Sequence, residues 1–263
     1  MQHASIIAEP GSAEAQSAPL RGRAQLTNMS LAYQAVIDCV NAGPSLPRLG
    51  VLYGPSGYGK SVAAAHVAGE FDAAYVEAKS IWTQRSLLGA IAAALGIAKL
   101  ERTGPRILDQ LITHLCHYPR PLIIDEMDYL VKKQMVDIIR DIHDATPIGI
   151  LMIGEEALPS KLKAWERFDN RILVYAAAQP ATAEDALKLR DCYAWKAVRV
   201  ADDLALEFCR SCSGVTRRIV TNLERAQRIA LDEGQDVADL EWWGNRRIED
   251  GSPPPRRTFR SAN

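Results

Sequence analysis

The sequence predicts a parallel α/β sheet with helices on both faces, followed by a small bundle made of helices only. Three observations carry this reading. Gly54-Pro55-Ser56-Gly57-Tyr58-Gly59-Lys60-Ser61 fits the phosphate-loop pattern G-x-x-x-x-G-K-[ST] and stands between a short apolar run and a helix-favouring stretch. Strand-like and helix-like segments then alternate up to Tyr175. From Gln179-Pro180 onward only helical periodicity remains.

Composition sets the outer bounds. A chain of 263 residues with 48% apolar and 24% charged side chains can bury a sizeable core and is not disordered in bulk. Its formal net charge of −1 offers no overall basic field, so any contact with nucleic acid must come from local patches. Five cysteines, an odd number, fit reduced thiols. No apolar run is long enough to cross a bilayer and no signal-peptide layout opens the chain, so a cytosolic setting with no membrane partner is expected.

Taken in order, residues 1–23 are small, polar and uneven, and read as a flexible tail. Thr27 to Val40 carries Leu31, Ala35, Val36 and Cys39 at helical spacing and stops at Ala42-Gly43-Pro44. Leu49 to Tyr53 is the strand before the phosphate loop, and Val62 to Ala68 continues the helix after it. Ala73 to Glu77 reads as a second strand. Thr83 to Leu95 is a helix stopped by Gly96, and Pro105 opens another running to about His117. Pro121 to Asp125 is a buried strand, followed by a helix from Met127 to Ala145. Pro147 to Gly154 is the next strand, Leu158 to Trp165 a helix or turn, and Ile172 to Tyr175 the last strand. Helices then cover Thr182 to Trp195, Asp202 to Cys212 and Thr216 to Glu233. The expected organisation is an α/β nucleotide-binding domain over 24–177, a helical lid over 178–245, and a basic, proline-rich flexible tail over 246–263.

The chemistry concentrates at two places. In the loop, Gly54, Gly57 and Gly59 let the backbone curl past Pro55 so that successive N–H groups, including those of Ser56 and Tyr58, face a polyphosphate. Lys60 is placed to neutralise the β- and γ-phosphates of ATP, and the Ser61 hydroxyl to ligate Mg²⁺. The second place is Leu122-Ile123-Ile124-Asp125-Glu126, a buried strand ending in two acids where the crevice of an open α/β sheet lies. Asp125 suits the Mg²⁺, partly through water, and Glu126 can orient and polarise the attacking water. Acids at a strand end also serve as caps of the following helix. Cys209-Arg210-Ser211-Cys212 has redox or metal spacing, but on a helix with no second pair it reads as packing.

The order of these motifs resembles the AAA+ P-loop NTPases: phosphate loop, Asp-Glu strand end, arginines before the last strand, helical lid. More narrowly, the stretches Gly50 to Gly57, Leu122 to Glu126, Ile153 to Leu158 and Ser213 to Ile219 resemble the target-selecting ATPases of DNA transposition, the family of the phage Mu B protein, TniB and TnsC. The resemblance runs from about Leu26 to Ala238. It implies ATP-dependent assembly of copies into a helical filament on duplex DNA without sequence specificity. It further implies activation of a transposase, and hydrolysis that dismantles the filament. It places Arg217, or Arg218 one register on, as the lid arginine reaching the γ-phosphate, and Arg167 and Arg171 where a finger acting on a neighbouring subunit comes from. Local salt bridges to Glu166 or Asp169 are the plain alternative for both. The fourth strand of this superfamily usually ends in a polar neutral residue; here Gly154-Glu155-Glu156 stands in its place, and no sensor role is assigned to it. Lys79, Arg85, Arg102 and Arg106, with Trp82 and Lys99 nearby, are the candidate DNA contacts, each equally readable as a solvated surface charge. Two other readings stay open: a helicase loader or initiator of the IstB or origin-recognition kind, and a small-molecule P-loop kinase.

Overall fold

The computed structural model describes residues 25–43, 45–194 and 197–252. The tail expected at 1–23 and the basic stretch from Pro253 lie outside them. The described chain separates into a unit over Gln25–Gln179 and a second from Pro180 onward.

The first unit is a parallel sheet in the order β2-β3-β4-β1-β5. Its strands are β1 (Leu49–Tyr53), β2 (Ala74–Glu77), β3 (Leu122–Asp125), β4 (Ile150–Gly154) and β5 (Ile172–Ala177). A parallel strand needs a crossover, and the helical stretches between the apolar runs supply it. The strands are covered on both sides, and alternate residues go to opposite faces. Ile150 and Met152 of β4 join one core with Val51 and Ile124, whereas Leu151 and Ile153 join the other with Leu52 and Ile123. The first face is covered by α3 (Gln84–Ala94), α4 (Gly104–His117) and α6 (Val136–Ala145), the second by α1 (Thr27–Val40) and α2 (Lys60–Glu70). Ala32, Ala35 and Val36 of α1 meet Ala63, Ala64 and Val67 of α2, and these small side chains let both helices lie close to the sheet.

The helix expected from Met127 to Ala145 is broken in two, α5 (Met127–Lys132) and α6. Gln134 takes the left-handed conformation at φ 57°, and the Met135 N–H reaches back to the Leu130 carbonyl at 2.9 Å. That bond closes a helix terminus without glycine, which is why the break leaves no mark in the pattern. Two short helices, α7 (Leu158–Leu162) and α8 (Glu166–Asp169), precede β5.

The second unit contains α9 (Ala183–Cys192), α10 (Asp202–Ser211), α11 (Thr216–Asp232) and α12 (Leu240–Trp243). A capping box between Thr182 and Asp185 starts α9. Phe208 and Trp243 meet edge to face at 5.1 Å in its core. It is not purely helical: β6 (Arg199–Val200) and β7 (Val237–Ala238) pair in parallel. Residues 246–252, expected as the start of a tail, lie on α11. There the buried Asn222 donates to the Glu249 carbonyl at 3.1 Å and accepts from its N–H at 2.9 Å. Arg225 donates to the Arg247 carbonyl at 2.7 Å.

Candidate nucleotide site

β1 delivers the chain to the carboxyl edge of the sheet, where the glycine loop begins. Gly54 has φ 155°, and a Cβ there would press on the Cβ of Ala178 at 3.0 Å, so the position admits only glycine. Gly59, left-handed at φ 78°, is the N-cap of α2 and brings no side chain to the cap. The first-turn amides of α2 and the positive end of its dipole are thereby left to an anion. Lys60 folds back over the loop, its Nζ donating to the carbonyls of Gly54 at 2.7 Å and Pro55 at 2.8 Å. Burial lowers its pKa, while Asp125, Glu126, Asp128 and Glu155 pull it back up. Ser61 follows on the exposed side of the same turn.

The acids stand at the end of β3, one strand removed from β1 with β4 between them. Asp125 is 3% exposed. Its Oδ2 accepts from the Tyr75 hydroxyl at 2.9 Å and its Oδ1 from the Glu126 N–H at 2.8 Å, so the carboxylate is held in one orientation. Burial, then the charge of Asp125, keeps the Tyr75 phenol well above its ordinary range and therefore a donor. Glu126 adopts φ 57°, ψ 39°, a left-handed backbone that costs an acidic residue roughly 1–2 kcal/mol. Burial raises its carboxyl, with Asp125, Asp128, Glu155 and Glu77 adding to the effect. A carboxyl biased toward holding a proton suits a group that takes one from water.

Among the described residues no group of three or more His, Cys, Asp or Glu is arranged around a common metal position. A Mg²⁺ shared with phosphates needs only one or two protein groups, and the Ser61 hydroxyl with the oriented Asp125 carboxylate fits that demand.

Two contributions escape a reading of the sequence. Asn28, on α1 and 6% exposed, donates to the Tyr58 carbonyl inside the glycine loop at 2.8 Å and also grips Gln179. Asp128 accepts from the Glu155 N–H at 2.7 Å and from Lys161 Nζ at 2.5 Å, so the ends of β3 and β4 are tied together.

Residues 45–162 match the AAA domain family. The fold is that of an AAA+ ATPase. Solved structures similar to it include Cdc6p from Pyrobaculum aerophilum, 17% identical with a TM-score of 0.60, over 86% of this chain and 68% of that one. The Aeropyrum pernix ORC1 protein, solved in complex with DNA, gives 18% and 0.60 over 84% of this chain and 64% of that one. The Thermotoga maritima RuvB Holliday junction branch migration motor gives 17% and 0.56 over 83% and 67%. The chain thus spans about two thirds of each. No curated protein matches the sequence. Nothing in these similarities points to the transposition ATPases in particular.

The arginines before β5 of the AAA+ sheet differ from each other. Arg171 grips Asp144 with two bonds of 2.6 Å, and its third donor goes to the Arg167 carbonyl. The local partner is Asp144 rather than Glu166 or Asp169; Asp169 accepts from the Tyr175 hydroxyl at 2.5 Å. Arg167 is exposed, and its side chain forms no hydrogen bond or ion pair among the described residues. In the second unit Arg217 and Arg218 begin α11, and the Arg218 guanidinium lies against Gly251. Of the four candidate DNA contacts, Arg85 donates to the Arg102 carbonyl at 2.6 Å, which puts those two together. Lys79 is exposed after β2, and Arg106 is exposed in the first turn of α4.

No helix among the described residues is long and apolar enough to cross a membrane.

Proposed function

We propose that this chain binds and hydrolyses ATP with Mg²⁺ and acts on duplex DNA as an AAA+ ATPase of the initiator or loader kind. The observation that carries the ATPase part is the arrangement at the strand ends. A glycine loop with Lys60 folded over it shares one carboxyl edge with an oriented Asp125 and with Glu126, whose burial makes its carboxylate a stronger base. Lys60 would hold the β- and γ-phosphates, and Ser61 and Asp125 the Mg²⁺, which supplies charge neutralisation across those phosphates. Glu126 would orient a water and accept its proton. Arg167, exposed and unpaired among the described residues, would complete the site of a neighbouring copy. Lys79, Arg85, Arg102 and Arg106 would touch DNA phosphates.

The DNA part is favoured over metabolite phosphorylation because one of the similar folds was solved in complex with DNA and another is a Holliday junction branch migration motor. Target selection in transposition rests on the sequence resemblance alone.

The test is an ATPase assay with and without duplex DNA, paired with electron microscopy of the same mixtures. DNA-stimulated turnover with small closed or short assemblies supports the initiator or loader reading. Long continuous filaments on DNA favour target selection instead. ATP-dependent phosphorylation of a metabolite without DNA overturns both.

A further inference from the structure

β4 ends without a side chain. A Cβ on Gly154 would collide with Oδ2 of Asp128 and Cδ2 of Leu158. The room beside the end of β4 is filled instead by a carboxylate from the neighbouring helix α5. Asp128 is 11% exposed at its side chain and has Lys161 on Oδ1 and the Glu155 N–H on Oδ2. Lys161, in α7, also reaches Glu155 Oε2 at 3.5 Å.

The charges around this point are unbalanced. Glu77, Asp125, Glu126, Asp128 and Glu155 gather near the strand ends, and four of them act on Lys60. A triphosphate in the loop would engage Lys60 and add several negative charges beside Asp128 and Glu155. Like charges at such distances repel strongly where water is partly excluded. Lys161 is the cation that meets both of these carboxylates. Its side chain is 40% exposed, and a pair so placed does little for the fold itself. Its placement makes more sense as charge compensation than as a staple.

We propose that Lys161, held by Asp128 in the room left by Gly154, is a positioning residue of the nucleotide site that keeps Asp128 and Glu155 neutralised so that a triphosphate can bind beside them. This rests on the ATPase reading above. It explains how Gly154-Glu155 can occupy a place where an uncompensated carboxylate would repel ligand, and it makes the terminal phosphate the group most sensitive to Lys161.

Affinities of the full chain for fluorescent ATP and ADP analogues test this. Lys161→Met should weaken ATP binding roughly tenfold, the effect of one uncompensated charge at a partly solvated site, while ADP binding changes less than about twofold. Lys161→Arg should restore ATP binding. Lys161→Met combined with Asp128→Asn removes both charges, guards against a fold weakened by a lone buried carboxylate, and should also restore it. Equal loss for ATP and ADP, with no rescue by the double variant, would mean that Lys161 is only a structural tie. Unchanged ATP binding in Lys161→Met overturns the proposal while leaving the ATPase reading intact. A wild-type chain that binds neither nucleotide overturns both.

Discussion

The carboxamide of Asn28 closes on both backbone groups of Gln179, donating to its carbonyl and accepting from its N–H, each at 2.8 Å. The same side chain donates to the Tyr58 carbonyl in the glycine loop. One buried amide therefore fastens the loop to the residue at which the first unit ends. Asn28→Ala leaves these backbone groups unpaired and should cost about 2–4 kcal/mol in denaturant unfolding. Asn28→Asp keeps the acceptor for the Gln179 N–H and loses the donor, so its cost should fall in the same range with weaker nucleotide binding. Calorimetric titration with ATP measures the second effect.

Lys60→Ala should lose roughly 3 kcal/mol of ATP binding, about a hundredfold, because it removes a charged donor to the phosphates. Glu126→Gln should keep ATP binding and slow hydrolysis by about 10²–10⁴, the usual share of a general base. Equilibrium binding and single-turnover hydrolysis separate the two. Rapid turnover in Glu126→Gln would remove it from the water-orienting role.

Arg167 and Arg171 should behave differently. Arg171→Ala breaks a bidentate pair with Asp144 and should destabilise the fold by about 1 kcal/mol. Arg167→Ala should leave stability within about 0.5 kcal/mol yet lower assembly-dependent hydrolysis by about 10³ or more. Mixing Arg167→Ala with Glu126→Gln subunits should recover activity that neither shows alone. A mixture that stays inactive would place the finger elsewhere.

His143 gives the fold a dependence on acid. Its Nε2 accepts the Arg48 N–H at 3.1 Å and its Nδ1 faces Asp144 Oδ1 at 2.8 Å, which requires the neutral ring. Burial lowers its pKa below the ordinary 6.5, against the pull of Asp144. With the folded value depressed, the unfolded chain binds the extra proton first, so this contribution is complete above about pH 6.5 and falls away as the pH drops below it. His143→Gln should flatten the stability profile in that window, measured by thermal unfolding from pH 7.5 to 5.

The glycine loop, the sheet strands and the helical character of the second half were legible because each is written locally, in a fixed spacing or a short period. The pairing of β6 with β7 was not: Arg199 and Val237 meet as strands of two residues each, too short to show alternation. The turn at Gln134 was hidden because a non-glycine residue carries the left-handed angle there. Asn28 was missed for a different reason. Its partners are backbone atoms, one of them 151 residues away, and a backbone atom has no identity in a sequence. Asp128 was visible as a third acid after Asp125 and Glu126, but its meaning depended on Gly154 leaving room for it.

The left-handed backbone at Glu126 sets two selections against each other. Asparagine tolerates that angle better than glutamate, and glycine tolerates it freely. A population screened only for survival of heat would therefore drift toward asparagine or glycine at this codon. One screened for turnover would have to retain the acid, and with it a standing thermal handicap.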